Sequence, residues 1–173
     1  MKDKTGRWLV WLSRIHKCRG FGIQSPTDYA FVCDVINEHW PYYAYDEFPD
    51  TDWLTTKLGR LYFRLANWRQ PSEMLTDQWQ CYWQAGCRKT RFGDSIEKVQ
   101  LARVEVEDQQ QWKQLLTKCD QQSVVVVEGI HRNRQQWKAM IDDEHCGTTF
   151  DLYYCGIILF DNNRYRHHYI INF

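Results

Sequence analysis

Glu128-Gly129-Ile130-His131 sets a carboxylate and an imidazole three residues apart, directly after the β-branched run Val124–Val127. Open α/β sheets bind ligands at the carboxyl ends of such strands. There Glu128 could act as a general base or hold a hydroxyl donor, with His131 beside it. The other reading is a turn leading toward a helix, with polar ends in solvent. Glu105, Glu107 and Asp108 form a second acidic group at the end of the preceding apolar stretch. They could hold a ribose hydroxyl or a metal, or they are a solvated strand end and a helix N-terminal acid. Tyr42, Tyr43 and Tyr45 could stack on an aromatic ring or seal one layer of the fold onto another.

Other arrangements exclude chemistry. His167 and His168 are neighbours in a strand-like segment, so their side chains point to opposite faces and cannot share one metal. The seven cysteines are scattered, with no C-x-x-C pair, which argues against structural zinc. They fit small apolar residues in a reducing cytoplasm, the expected location. No P-loop is present. The Gly-x-Gly of Arg19–Pro26, RGFGIQSP, follows no strand and lacks a third glycine, so it reads as a turn before a helix.

The elements that must position these residues follow from periodicity. Ser25 and Pro26 are an N-cap and first helical residue, and Phe31, Val32, Val35 and Ile36 share a face before Pro41. Asp50-Thr51-Asp52 caps a helix whose stripe is Leu54, Leu58, Leu61, Tyr62 and Leu65, ending at Pro71. Residues 72–98 carry no sustained period. Beyond them Val99–Val106 alternates as a strand, residues 108–119 read as a helix, 123–128 as a strand buried on both faces and 134–143 as a helix. FDLYY, GIILF and YRHHYIINF close the chain, with Asp161-Asn162-Asn163 expected to turn an antiparallel hairpin.

This order predicts an α/β layered domain with a mostly parallel sheet. It would be one domain over residues 1–173, a helical cover (1–70) on a shortened α/β core (71–173). The 22 acidic and 22 basic residues balance, so nothing steers the chain toward nucleic acid or an anionic membrane. No apolar run approaches the roughly 18–20 residues of a membrane span. The N-terminal stretch MKDKTGRWLVWLSRIHK is expected to be an amphipathic helix and not a signal peptide.

The segments G-x-G-I-x-S-P, PYYAYDE, LGRLYFRLANWRQP and SVVVVEGIH…FDLYYCGIILF…HHYIINF, taken in order, resemble the class I S-adenosylmethionine-dependent methyltransferases of the O-methyltransferase-like type found in Bacteroidetes. The resemblance covers roughly residues 14–71 and 99–173. It implies a Rossmann-like class I methyltransferase sheet, here truncated, with an N-terminal helical cover and a C-terminal antiparallel hairpin. It also implies S-adenosylmethionine as cofactor and a small hydroxylated acceptor. Glu128 and His131 would orient or deprotonate that acceptor, while Glu107, Tyr43 and Tyr45 would contact the cofactor.

The chain departs from the family where the cofactor should sit. The family follows Pro71 with a strand and a glycine-rich loop; here Glu73–Cys81 has no glycine before Gly86 and carries Trp79. An acidic pair before Ile-His is reduced to Glu128-Gly129, Gln24 replaces a frequent histidine, and residues 72–98 are short for a complete cofactor half. The expectation is a divergent methyltransferase-like protein whose methyl transfer is weak or lost. The alternative is a non-enzymatic interaction or scaffold module that presents Trp79 and Trp83 to a protein partner. Homo-oligomerisation is open on either reading.

Overall fold

A computed structural model describes residues 2–49, 51–163 and 165–173. The cover begins with α1 (Lys2–Ser13) and a 3-10 turn (Ile15–Gly20). Gly20 and Gly22 then take positive φ values of 74° and 87°, the turn expected of RGFGIQSP. In α2 (Pro26–Phe31) the Ser25 hydroxyl accepts from Asp28 N at 3.3 Å, as its N-cap role requires. The helical path continues to Ile36, but Val32–Ile36 is π-helical. A 3-10 turn (Tyr43–Glu47) leads to α3 (Trp53–Arg69), capped by Asp52 and ended by left-handed Gln70 with φ 51°. Asp50 lies outside the described residues.

The aperiodic middle folds as a small βαβ unit. Strands β1 (Glu73–Leu75) and β2 (Arg91–Gly93) pair in parallel around α4 (Gln80–Gly86). Next come β3 (Leu101–Glu105), α5 (Gln109–Leu116), β4 (Val124–Glu128), α6 (Arg134–Asp142), β5 (Thr149–Asp151), β6 (Cys155–Leu159) and β7 (His168–Ile170). The last five strands form one sheet in the order β3-β4-β6-β5-β7. β3 and β4 are parallel, and β6 is antiparallel to both β4 and β5. β1 packs beside β3, where Ser72 N donates to Gln100 Oε1 at 2.7 Å.

The hairpin is displaced from its expected turn. β5 and β6 form it around Leu152–Tyr154, with Tyr153 at φ 73°. Asp161–Asn163 instead starts a crossover that carries β7 to the far side of β5, where it pairs in parallel. The Asp-Asn-Asn signal marks a turn without specifying which strands it joins.

Alternation along β4 divides the interior. Val124 and Val126 face α2, α3 and α4, joined by Leu101, Phe150 and Ile157. Val125 and Val127 face α5 and α6, joined by Val104, Trp112, Trp137, Met140 and Ile158. By the same period Arg103, Glu105 and Glu128 point toward the α3–α4 face. Among the described residues no helix is long and apolar enough to cross a membrane.

Candidate functional site

The chain adds β2 outside β1, then returns to set β3 beside β1 and β4 beyond it. Strand order therefore reverses between β1 and β3, the position at which open α/β sheets leave a crevice for ligands. The side chains at that point are Glu128 and Glu105 from the sheet, Tyr62 from α3, and Asp77, Trp79 and Trp83 from the turn after β1 and α4.

Glu105 and Glu128 are register partners at the ends of two parallel strands. Two carboxylates so placed repel, and Arg103 lies between them. Its Nε donates to Glu128 Oε2 at 2.6 Å, and its Nη2 pairs with Glu105. Tyr62 donates its hydroxyl to the same Glu128 oxygen at 2.9 Å. Arg132 pairs with the other Glu105 oxygen from the loop beyond β4. Gln78, with its amide oxygen inward, accepts from Arg103 Nη2 at 2.9 Å and from Trp79 Nε1 at 3.3 Å. Burial opposes the charge on Arg103, but Glu128 outweighs it and the guanidinium pKa rises. Burial and the Glu128 charge push the Tyr62 phenol well above its ordinary value, so it remains a donor.

Indole rings close this cluster. Trp83 is fully buried and stacks on Tyr62 with centroids 4.5 Å apart, while Trp79 meets the Tyr62 ring edge-on at 4.9 Å. Asp77 pins both: its Oδ1 accepts from Trp79 N at 2.8 Å and from Trp83 Nε1 at 3.2 Å. Burial raises the Asp77 pKa against the opposing pull of the Trp79 amide and Arg103. Trp79 and Trp83 are therefore core residues, and the expectation that they face a partner is corrected. Helical spacing puts them on one face, and that face is turned inward.

His131 stacks on Tyr153 at 5.4 Å and meets Tyr154 edge-on at 5.4 Å. Its Nδ1 is buried without a hydrogen-bond partner. Burial, with Arg132 and Arg134 nearby, lowers its pKa and favours the neutral ring. No hydrogen bond among the described residues joins it to Glu128. Glu107 is exposed on the loop after β3, and Asp108 caps α5 by accepting from Gln111 N at 2.8 Å. Tyr45 packs against Tyr42, Phe48 and Phe63 and accepts from Arg64 Nη1 at 3.2 Å. Tyr43 is 93% exposed. The expected catalytic and cofactor residues thus occupy separate neighbourhoods: Glu128 in the closed cluster, His131 against the β5–β6 turn, Glu107 in solvent, and Tyr43 and Tyr45 in the cover.

Sequence reasoning missed Arg103 and Asp151. Asp151 is fully buried and accepts from Arg14 Nη2 at 2.9 Å, Arg134 Nη2 at 2.5 Å and Tyr153 N at 2.9 Å. Burial raises its pKa, but Arg134 and Arg14 outweigh that, and the net shift is downward. The clamp ties the residue after α1 to the C-terminal strands. A charged residue inside an otherwise apolar strand was the available signal for both, since burial of such a group demands a partner. No group of three or more potential metal ligands is present among the described residues. No family model matches the chain, and neither a characterised protein nor a solved structure is significantly similar to it.

Proposed function

We propose that this chain is a methyltransferase-like α/β domain that has lost methyl transfer and acts as a binding module. The observation that carries the reading is the state of Glu128. Its side chain is only 14% exposed and is held by Arg103 and Tyr62, and the Tyr62 ring is itself packed against Trp79 and Trp83. Both partners hold Oε2, so a proton-accepting role for Glu128 would fall to Oε1, and the side chain's low exposure leaves little room for an acceptor beside it.

The residues present do not fit S-adenosylmethionine. A cofactor in the switch-point crevice needs close backbone approach, which glycine permits, and no glycine occurs between Pro71 and Gly86. The turn after β1 instead places Asp77 as a half-buried cap and packs two indoles beside Tyr62. The reversal of strand order and the antiparallel β6 support descent from a doubly wound architecture. The filled crevice supports loss of its chemistry.

Isothermal titration of the full chain with S-adenosylmethionine tests the proposal. No heat is expected up to about 1 mM, a ligand level at which even a 4 kcal/mol interaction registers. Saturable binding with transfer of a labelled methyl group to any hydroxylated acceptor would refute it.

A further inference from the structure

Trp53, Lys57, Arg60 and Arg64 recur at helical spacing along the face of α3 opposite Tyr62. They form one wall of a groove of about 1030 Å³, whose rim includes Trp40, Tyr43 and Phe173. Arg64 is buried and donates to Val35 O at 2.6 Å, Ile36 O at 2.9 Å and Tyr45 Oη at 3.2 Å.

Lys57 and Arg60 have no carboxylate within salt-bridge distance among the described residues. The Lys57 amine sits over the Trp53 ring at 5.1 Å and the Phe173 ring at 4.5 Å, and the Arg60 guanidinium over Tyr45 at 4.8 Å. Burial, reinforced by the Arg64 charge, lowers the Lys57 pKa, as happens to an ammonium with no anion to offset its desolvation. Asn37 Nδ2, on the same groove, is a buried donor without an acceptor. Three donors thus line one groove in which aromatic faces are exposed, Trp40 at 73% and Tyr43 at 93%.

The charge of the ligand is bounded by the acidic residues of the same groove. Glu38 and Asp46 also line the groove, and Glu38 already accepts from the Tyr42 hydroxyl at 2.7 Å. Counting Arg64, three cations and two carboxylates line the groove and leave one net positive charge, which suits a single negative charge better than a phosphate dianion. Exposed indole and phenol faces suit a flat ring. We infer that this groove binds a small aromatic monocarboxylate, its carboxylate on Lys57 and Arg60 and its ring against Trp40, Tyr43 and Trp53. The inference rests on the reading of the chain as a binding module and names that module's ligand class.

The test is calorimetric titration of the full chain with indole-3-acetate, its neutral amide indole-3-acetamide, and inorganic phosphate. Indole-3-acetate is expected to bind with Kd at or below about 1 mM, and the amide about tenfold more weakly. Lys57→Met and the exposed-site variant Arg60→Gln should each weaken the acid about tenfold while leaving the far-ultraviolet circular dichroism unchanged. Absence of heat at about 10 mM acid, equal affinity for acid and amide, or unchanged binding in both variants overturns the inference. Phosphate binding as tightly as the acid overturns the choice of a monocarboxylate. These failures leave the closed-crevice reading standing, because only the S-adenosylmethionine titration bears on that.

Discussion

Glu128 either holds the fold together or serves a reaction, and replacing it by leucine separates the two. In the structure Glu128 and Arg103 are a largely buried pair, with side chains 14% and 10% exposed, and Tyr62 adds a third partner. Removing one member of a buried pair costs about 3–5 kcal/mol when the other is left unpaired; Arg103 keeps Glu105, so Glu128→Leu should fall at the low end, about 3 kcal/mol. For a chain of this length that is a fall in Tm on the order of 10 °C, at roughly 2–4 °C per kcal/mol. Arg103→Met alone should cost a similar amount, because Glu128 and Glu105 then face each other in register with nothing between them. The double variant replaces both charges by apolar groups, so its cost should fall well short of the sum, with a coupling of about 2 kcal/mol or more. Urea unfolding at pH 7, followed by circular dichroism and tryptophan fluorescence, measures all three, provided the denaturant slope stays constant. A catalytic carboxylate in an open crevice behaves differently, since active-site groups are held at a cost in stability and their removal is neutral or stabilising. Glu128→Leu within about 0.5 kcal/mol of the wild type, or strictly additive single variants, would refute the structural assignment.

Two further substitutions probe how the layers are tied together. Asp151→Asn should destabilise by about 3 kcal/mol at pH 7, because Arg14 and Arg134 lose their shared anion. The Asp151 carboxyl is held below its ordinary value of 3.8 in the folded state, so its stabilisation is complete above that value and is lost as pH falls through the lowered one. Acid unfolding of the variant should therefore be shallower than wild type below about pH 4, and equal slopes would exclude the clamp. Gly86→Ala tests the α3–α4 contact. A methyl there would lie 2.8 Å from Ala66 Cβ and still closer to the Phe63 carbonyl oxygen. Backbone cannot yield cheaply, so a loss of about 1–3 kcal/mol in chemical denaturation is expected, and a neutral result would mean that the helices are packed more loosely than described.

The α/β class and most elements beyond residue 99 were legible because burial imposes periods that composition reveals. Val124–Val127 reads as a doubly covered strand, and Ser25-Pro26 and Asp52 as caps, since each signal is local. Residues 72–98 were not legible. Their strands are three residues long, too short to express alternation, and their helix buries Tyr82, Trp83 and Gly86 within seven residues. The placement of β7 was also hidden, because strand order depends on which edge is free and not on the turn sequence. At the site, position was readable and chemistry was not. Glu128 could be assigned to a strand end, but its engagement depends on Arg103, twenty-five residues earlier, and Tyr62, sixty-six residues earlier.

The residues around the strand ends of β3 and β4 are physically coupled. A crevice without a ligand cannot remain a dry void beside two carboxylates, because empty space forfeits packing and unpaired charge forfeits hydration. Trp79 and Trp83 supply volume, yet indoles alone would leave the largely buried Glu128 in register with Glu105 and without a counter-charge. Arg103 supplies the intervening positive charge, and Tyr62 supplies both a ring for Trp83 to stack on and a hydroxyl for Glu128. Each residue thus depends on the others: glycine at 79 or 83 would open a cavity, and a neutral residue at 103 would leave the strand ends repelling. A set of residues that satisfies one another in this way behaves as a packed core, and opening it calls for replacement of several of them at once.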